Sequence, residues 1–154
     1  MTALAMILSY VESLIPFYAG FPGIKLGLAN LVIVLLLYTG TIGEALVVSC
    51  MRILLTGFLF GNLYSMLFSL SGGLISLLVM WLIRKIPGFG VMGVSIAGGV
   101  AHNMAQLAVA VLVVETYQLV VYFPVLLAAG TLTGAGIGIL AAVLLERAKL
   151  LRRS

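Results

Sequence analysis

Residues 63–83 have the sequence LYSMLFSLSGGLISLLVMWLI, and Arg84-Lys85 and Pro87-Gly88 follow directly. The stretch has no charged residue, and about 20 apolar residues are enough for a helix to cross the hydrocarbon core of a bilayer. The basic pair and the Pro-Gly pair then end it, as flanking charges and turn residues do at a membrane surface. We therefore predict a transmembrane helix over 63–83.

The same apolar character extends over the whole chain of 154 residues, which is 64% hydrophobic and 8% charged. Soluble domains carry about 25% charged residues, and a mean hydropathy of +1.33 leaves too little polar surface to face water. In lipid, the backbone must satisfy its own hydrogen bonds, which restricts a chain to helices or a closed barrel. The apolar stretches lack strict alternation, so helices are favoured.

Proline, glycine and charged residues divide the chain into six apolar segments, which we predict to be the helices of a single domain, 1–154. Six crossings bring both termini to one side of the membrane. If that side is the cytoplasm, Arg84, Lys85 and the basic tail all lie inside, as the positive-inside rule requires. The prediction is an all-α, multi-pass protein of the bacterial cytoplasmic membrane, a bundle of six transmembrane helices with cytoplasmic termini. The segments are 2–15, 26–38, 44–60, 63–83, 91–114 and 123–145; loop 17–25 joins the first two, and 115–122 joins the last two.

Small residues recur at helical spacing in the fourth and sixth segments. Such faces let helices approach closely where lipid provides no hydrophobic drive for association. We predict that both stripes are packing surfaces. They consist of Ser65, Ser69, Gly72, Gly73 and Ser76 in the fourth segment and of Gly130, Gly134 and Gly138 in the sixth.

Three ionisable residues, Glu12, Arg52 and His102, fall within apolar segments. An ionisable group at the bilayer centre costs about 2.5–3.5 kcal/mol on insertion scales, so it is a functional hypothesis by default. At about 1.5 Å of rise per residue, these groups and nearby amides lie between mid-membrane and the outer surface. We therefore predict an outward-facing pocket with a dry inner half. Its candidate substrate contacts are Lys25, Asn30, Arg52, His102, Asn103 and Gln106.

Each candidate also has a structural interpretation. Glu12 and Arg52 can form a structural ion pair. His102 and Gln106 are four residues apart on one helix face, and the histidine can be a hydrogen-bonded core residue. The two asparagines can join neighbouring helices. As a binding site, the set predicts a mostly apolar pocket with few polar groups, suited to a small amphipathic ligand with one anionic end.

Lys25 opens the second predicted helix, where free backbone N–H groups and the positive end of the helix dipole favour an anion. Gly23 nearby would let the backbone approach a ligand closely. A carboxylate, a phosphate or an anionic headgroup bound there is one hypothesis. The other is an interfacial lysine whose side chain extends to water.

The sequence gives little support for catalysis. It contains no aspartate, whereas Mg²⁺-assisted chemistry on diphosphates needs clustered acidic ligands. It has no P-loop and no paired His/Cys set for zinc, and the single Cys50 cannot form an internal disulfide. We expect no enzymatic activity, no metal and no cofactor. Because the basic residues lie at segment ends, we also expect no nucleic-acid binding.

Two stretches, AMILSYVE at 5–12 and FPGIKLGLAN at 21–30, resemble the Gx transporter family, also labelled heptaprenyl diphosphate synthase component I. That family is similar to the substrate-binding S components of energy-coupling-factor (ECF) transporters. The resemblance covers nearly the whole chain. Arg52 and the pair His102-Asn103 also fit it.

The resemblance implies a six-helix fold with a substrate pocket near the outer face, capped by loop 17–25. It also implies that a small-residue motif on the first helix docks a transmembrane coupling protein. Ala5 and Ser9 match its spacing, with serine in place of the usual second alanine. Two cytoplasmic ATPases would drive that partner, and the small domain would tilt in the membrane to release its substrate.

Three functions therefore follow from the sequence. The first is substrate capture for the uptake of a small, amphipathic or anionic molecule. The second is a non-catalytic scaffold or assembly subunit of a quinone- or isoprenoid-biosynthesis complex, or of a flavin-linked electron-transfer complex. The third is a subunit of a prenyl diphosphate synthase, which the absence of aspartate disfavours.

Overall fold

The structure, a computed structural model, describes residues 1–14 and 27–151, and all regular structure in these ranges is helical. The six predicted helices are all present, and most of their ends agree closely with the prediction. The last helix continues past the predicted end at 145, because its charged tail consists of good helix formers. The elements are α1 (Thr2–Leu14), α2 (Leu28–Thr39), α3 (Ile42–Phe60), α4 (Leu63–Arg84), α5 (Val91–Val114), a 3₁₀ helix (Tyr117–Tyr122) and α6 (Phe123–Leu151).

Polar side chains define where α3 and α4 begin. Thr41 and Glu44 form a capping box, in which each side chain accepts a hydrogen bond of 3.2 Å from the other's backbone N–H. Asn62 Oδ1 accepts a hydrogen bond of 2.8 Å from the backbone N–H of Ser65. These bonds satisfy N–H groups that the first turn of a helix leaves without partners. The predicted break at Gly61-Asn62 is therefore the start of a capped helix.

Within the described ranges, α3, α4, α5 and α6 are long and apolar enough to cross a membrane. Helices α1 and α2 are apolar but shorter. The shortest of the six, α2, is nevertheless the most enclosed, because it contacts α1, α3 and α6. Most of its side chains belong to the core, which explains why its sequence is apolar on every face.

The backbones of α5 and α6 lie in direct contact along the glycine stripe of α6. A Cβ atom added at Gly134 would lie 2.7 Å from the Cα of Ile96 and 2.8 Å from the carbonyl oxygen of Ser95. Gly130 and Gly138 meet the α5 backbone in the same way. The predicted packing role of this stripe is confirmed. We call this contact the α5–α6 seam.

The end of α2 is joined to the end of α4 by Arg84, the first residue of the basic pair. The Arg84 guanidinium donates a hydrogen bond to the carbonyl oxygen of Leu37 and lies 5.0 Å from the ring centre of Tyr38. Lys85 Nζ lies 3.4 Å from the ring centre of Trp81. A cation there satisfies a carbonyl group that the last turn of α2 leaves free.

Candidate binding site

Two adjoining cavities lie at the centre of the bundle. The small lobe, of about 50 Å³, is lined by all six helices. The large lobe, of about 140 Å³, lies between α1, α3 and α4. Three residues line both lobes, namely Glu12, Arg52 and Ser69. The buried charges predicted from the sequence therefore lie at the junction of the two cavities.

Glu12 joins the end of α1 to the start of α2. Its carboxylate accepts a hydrogen bond from the backbone N–H of Gly27, the N-cap residue of α2. Gly27 has a φ of 72°, in the left-handed region that favours glycine. The carboxylate thus occupies the positive end of the α2 dipole. The Lys25 hypothesis proposes that a bound ligand supplies an anion at the start of α2. In the structure, the Glu12 side chain supplies an anion there.

Arg52 projects from the middle of α3 into both lobes. Its Nη1 donates a long hydrogen bond of 3.3 Å to Ser9 Oγ. Its Nε is buried and has no hydrogen-bond partner among the described residues. Glu12 lines the same two lobes as Arg52. Whether they form a purely structural ion pair stays a prediction.

Two of the predicted contacts on α5, His102 and Asn103, line the small lobe. The His102 ring packs over Gly72 of α4, where an added Cβ would lie 2.8 Å from Cε1 of the ring. Asn103 Nδ2 donates a hydrogen bond of 2.9 Å to the carbonyl oxygen of Leu126. Asn103 therefore joins α5 to α6, which was the structural alternative for this residue.

The remaining predicted contacts have different positions. Asn30 lines the small lobe. Gln106 is half-buried and lines neither lobe. Lys25 and the predicted capping loop 17–25 lie outside the described residues.

The two residues predicted to dock a partner both face inward. Ala5 is completely buried in the core, and Ser9 lines the large lobe, where it accepts the hydrogen bond from Arg52. Docking through these two side chains would therefore require α1 to separate from the bundle. Their role in docking stays a prediction.

The lining of the large lobe is more polar than the sequence analysis predicted. Most of its residues have polar side chains, including three hydroxyl residues that were not proposed as ligand contacts: Thr56, Ser65 and Ser69. Ser65 and Ser69 belong to the stripe predicted to be a packing surface, and their spacing of four residues places them on one helix face. The lobe therefore contains more polar groups than expected, whereas its lining surface is more apolar than polar.

The small lobe also extends farther than the predicted outer-half pocket. It reaches Ser76 of α4 and Ser95 of α5, on the side of the bundle where Arg84 lies. Both serines are almost completely buried, and Ser76 Oγ donates a hydrogen bond of 2.8 Å to the carbonyl oxygen of Gly98. The predicted dry half of the bundle thus contains buried hydroxyl groups.

Four long apolar helices in an all-helical bundle indicate the class of multi-pass membrane proteins. Among the described residues, no group of three or more His, Cys, Asp or Glu side chains is arranged to hold a metal ion. The chain belongs to the family described as heptaprenyl diphosphate synthase component I, whose model matches residues 1–144. The family resemblance stated from the sequence is thereby confirmed. No curated protein and no solved structure matches the chain.

Proposed function

We propose that this protein is the substrate-capture subunit of an uptake system in the bacterial cytoplasmic membrane. In this proposal all six helices cross the membrane, both termini are cytoplasmic, and the pocket receives a small molecule from outside. A transmembrane coupling protein and cytoplasmic ATPases would supply the energy for its release. The chain itself would carry out no chemical step.

The observation that carries this proposal is the placement of Arg52. A guanidinium is costly to bury in a membrane protein unless its donors are satisfied. Here one donor makes a long bond to a serine, and another has no partner among the described residues. The side chain lines a cavity with several polar groups in an otherwise apolar surface, which is where a small ligand gains most from a few fixed hydrogen-bonding groups.

Native mass spectrometry of the detergent-purified protein tests this proposal. We expect a bound small molecule whose occupancy falls about tenfold or more in Arg52→Gln, since a hydrogen bond to a charged group contributes about 1.5–3 kcal/mol. Arg84→Gln is the matched control, because Arg84 lines neither lobe. A ligand-free protein in every preparation, or equal occupancy in the two variants, would reject the capture function.

A second candidate is a non-catalytic membrane subunit of a biosynthetic complex. The family description favours it, since it speaks of a component of heptaprenyl diphosphate synthase. In that case the protein should purify with a partner subunit and without a small ligand. Prenyl elongation by the purified chain alone with Mg²⁺ would instead support an enzymatic role, for which the sequence without aspartate offers no Asp-rich motif.

A further inference from the structure

The two lobes differ in what they can hold. A cavity of about 150 Å³ accommodates a molecule of the size of benzene, whereas about 10–15 Å³ suffices for a water molecule. The large lobe, at about 140 Å³, is therefore the size of one six-membered ring, and the small lobe, at about 50 Å³, holds only a few water molecules. A bound group has room beside α3 and α4, and not beside His102.

Hydroxyl groups in the large lobe are available for a ligand. Several helical hydroxyls of this chain bond to carbonyl oxygens of the preceding turn, as Thr56 does to Arg52 and Ser71 does to Phe68. The hydroxyls of Ser65 and Ser69 make no hydrogen bond with the described residues, although both face the lobe. Polar groups of this kind are normally satisfied by a protein group, by water or by a ligand.

The unused donors of Arg52 in this lobe suit an oxyanion. Arg52 presents five N–H donors in a fork that matches carboxylate and phosphate groups, and only one of them has a described partner, at 3.3 Å. The neighbouring carboxylate of Glu12 is engaged at the start of α2. The start of α2 therefore already has an anion, the Glu12 carboxylate. The Arg52 guanidinium still has N–H donors that can bind a second anion.

We infer that the large lobe binds a carboxylate- or phosphate-bearing polar group about the size of a six-membered ring. Arg52 holds the oxyanion, and Ser65 and Ser69 hydrogen bond to the rest of the group. This assignment rests on the proposed capture function and deepens it. It moves the ligand from the α5 residues to α3 and α4, and it leaves no room in the lobe for a long isoprenoid chain.

Cysteine labelling in the lobe tests the inference. In a Cys50→Ala background, Ser69→Cys is treated with two methanethiosulfonate reagents, one carrying a sulfonate and the other a trimethylammonium group. We expect the ratio of the sulfonate rate to the trimethylammonium rate to be about tenfold higher at this position than for free cysteine, because a guanidinium attracts anions in a partly enclosed site. Arg52→Gln should abolish the preference.

The control is Ser71→Cys, two residues along the same helix. Ser71 lines neither lobe, so this cysteine should show no sulfonate preference. Millimolar benzoate and inorganic phosphate are then added separately, and the one that slows labelling at position 69 identifies the oxyanion as carboxylate or phosphate. Benzamide, which has the ring without the charge, should give no protection.

A rate ratio at position 69 equal to that of free cysteine would overturn the inference, as would no reaction with either reagent or no protection by either anion. These readouts do not require Arg52→Gln to fold. A bound molecule found by mass spectrometry without sulfonate preference would keep the capture function and reject the oxyanion. Sulfonate preference without any bound molecule would keep the oxyanion site and reject the capture function.

Discussion

The α5–α6 seam and the large lobe are both lined by small residues, but they pack in opposite ways. At the seam, Gly134 faces the backbone of Ile96 and leaves no space for a methyl group. In the lobe, Ser65 and Ser69 face a cavity and the end of a long side chain. Small residues let two helix backbones pack in direct contact at the seam. In the lobe, where a flexible side chain lies opposite, they leave a cavity.

The same difference is found within α4. One end of its small-residue stripe is a packing surface, and the other end lines the candidate binding site. The stripe of α4 packs at one end, where Gly73 lies close to Ile53 and Ser76 bonds to the carbonyl oxygen of Gly98. At its other end the same stripe lines the large lobe, which Ser69 shares with Arg52. Steps of three or four residues run along the whole stripe, so only the helix opposite it decides which role each residue has.

The largest expected effect is at the seam. Gly134→Ala should lower the free energy of unfolding by about 2–3 kcal/mol, because the added methyl group meets backbone atoms that cannot rotate away. Reversible denaturation in mixed detergent micelles measures it. Gly136→Ala is the matched control, since nothing lies within 4 Å of its added Cβ. Equal stabilities of the two variants would show that the seam is not tightly packed.

A smaller effect is expected at the edge of the cavity. Glu12→Ala should cost about 1–2 kcal/mol, because it leaves the Gly27 N–H at the start of α2 without its acceptor. Glu12→Gln keeps an acceptor oxygen and should retain most of that stability in the same denaturation assay. If both variants lose the same amount, the charge of Glu12 matters more than its bond to Gly27.

The smallest loss of stability is expected from a methyl group added beside the cavity. Gly72→Ala places a Cβ 2.8 Å from the His102 ring, but the ring can move toward the small lobe. We expect a cost of about 1 kcal/mol, well below that of Gly134→Ala. Because the ligand is assigned to the large lobe, its occupancy by native mass spectrometry should change little. A loss of stability equal to that of Gly134→Ala would mean that the cavity is as rigid as the seam.

Most of the helical architecture can be predicted from the sequence. The length of each apolar segment, and the Gly, Pro and charged residues that end it, are local features of the chain. Arg84-Lys85 ends α4 as expected, and the glycine spacing of α6 identifies its packing face. The site is less predictable. Arg52 and His102 could be found as costly ionisable groups, whereas Ser69 could not be distinguished from packing residues. The sequence suggests Arg52 as the partner of Glu12. The bond of Glu12 to Gly27 cannot be predicted, because it depends on how α1 and α2 are placed.

The most direct test of the central claim is an experimental structure of the protein purified from membranes, by cryo-electron microscopy at a resolution that shows small ligands. We predict density larger than a water molecule in the large lobe, within hydrogen-bond distance of the Arg52 guanidinium and of Ser69. A collapsed lobe, with Nε of Arg52 donating to a protein oxygen and no room beside Ser69, would contradict the account.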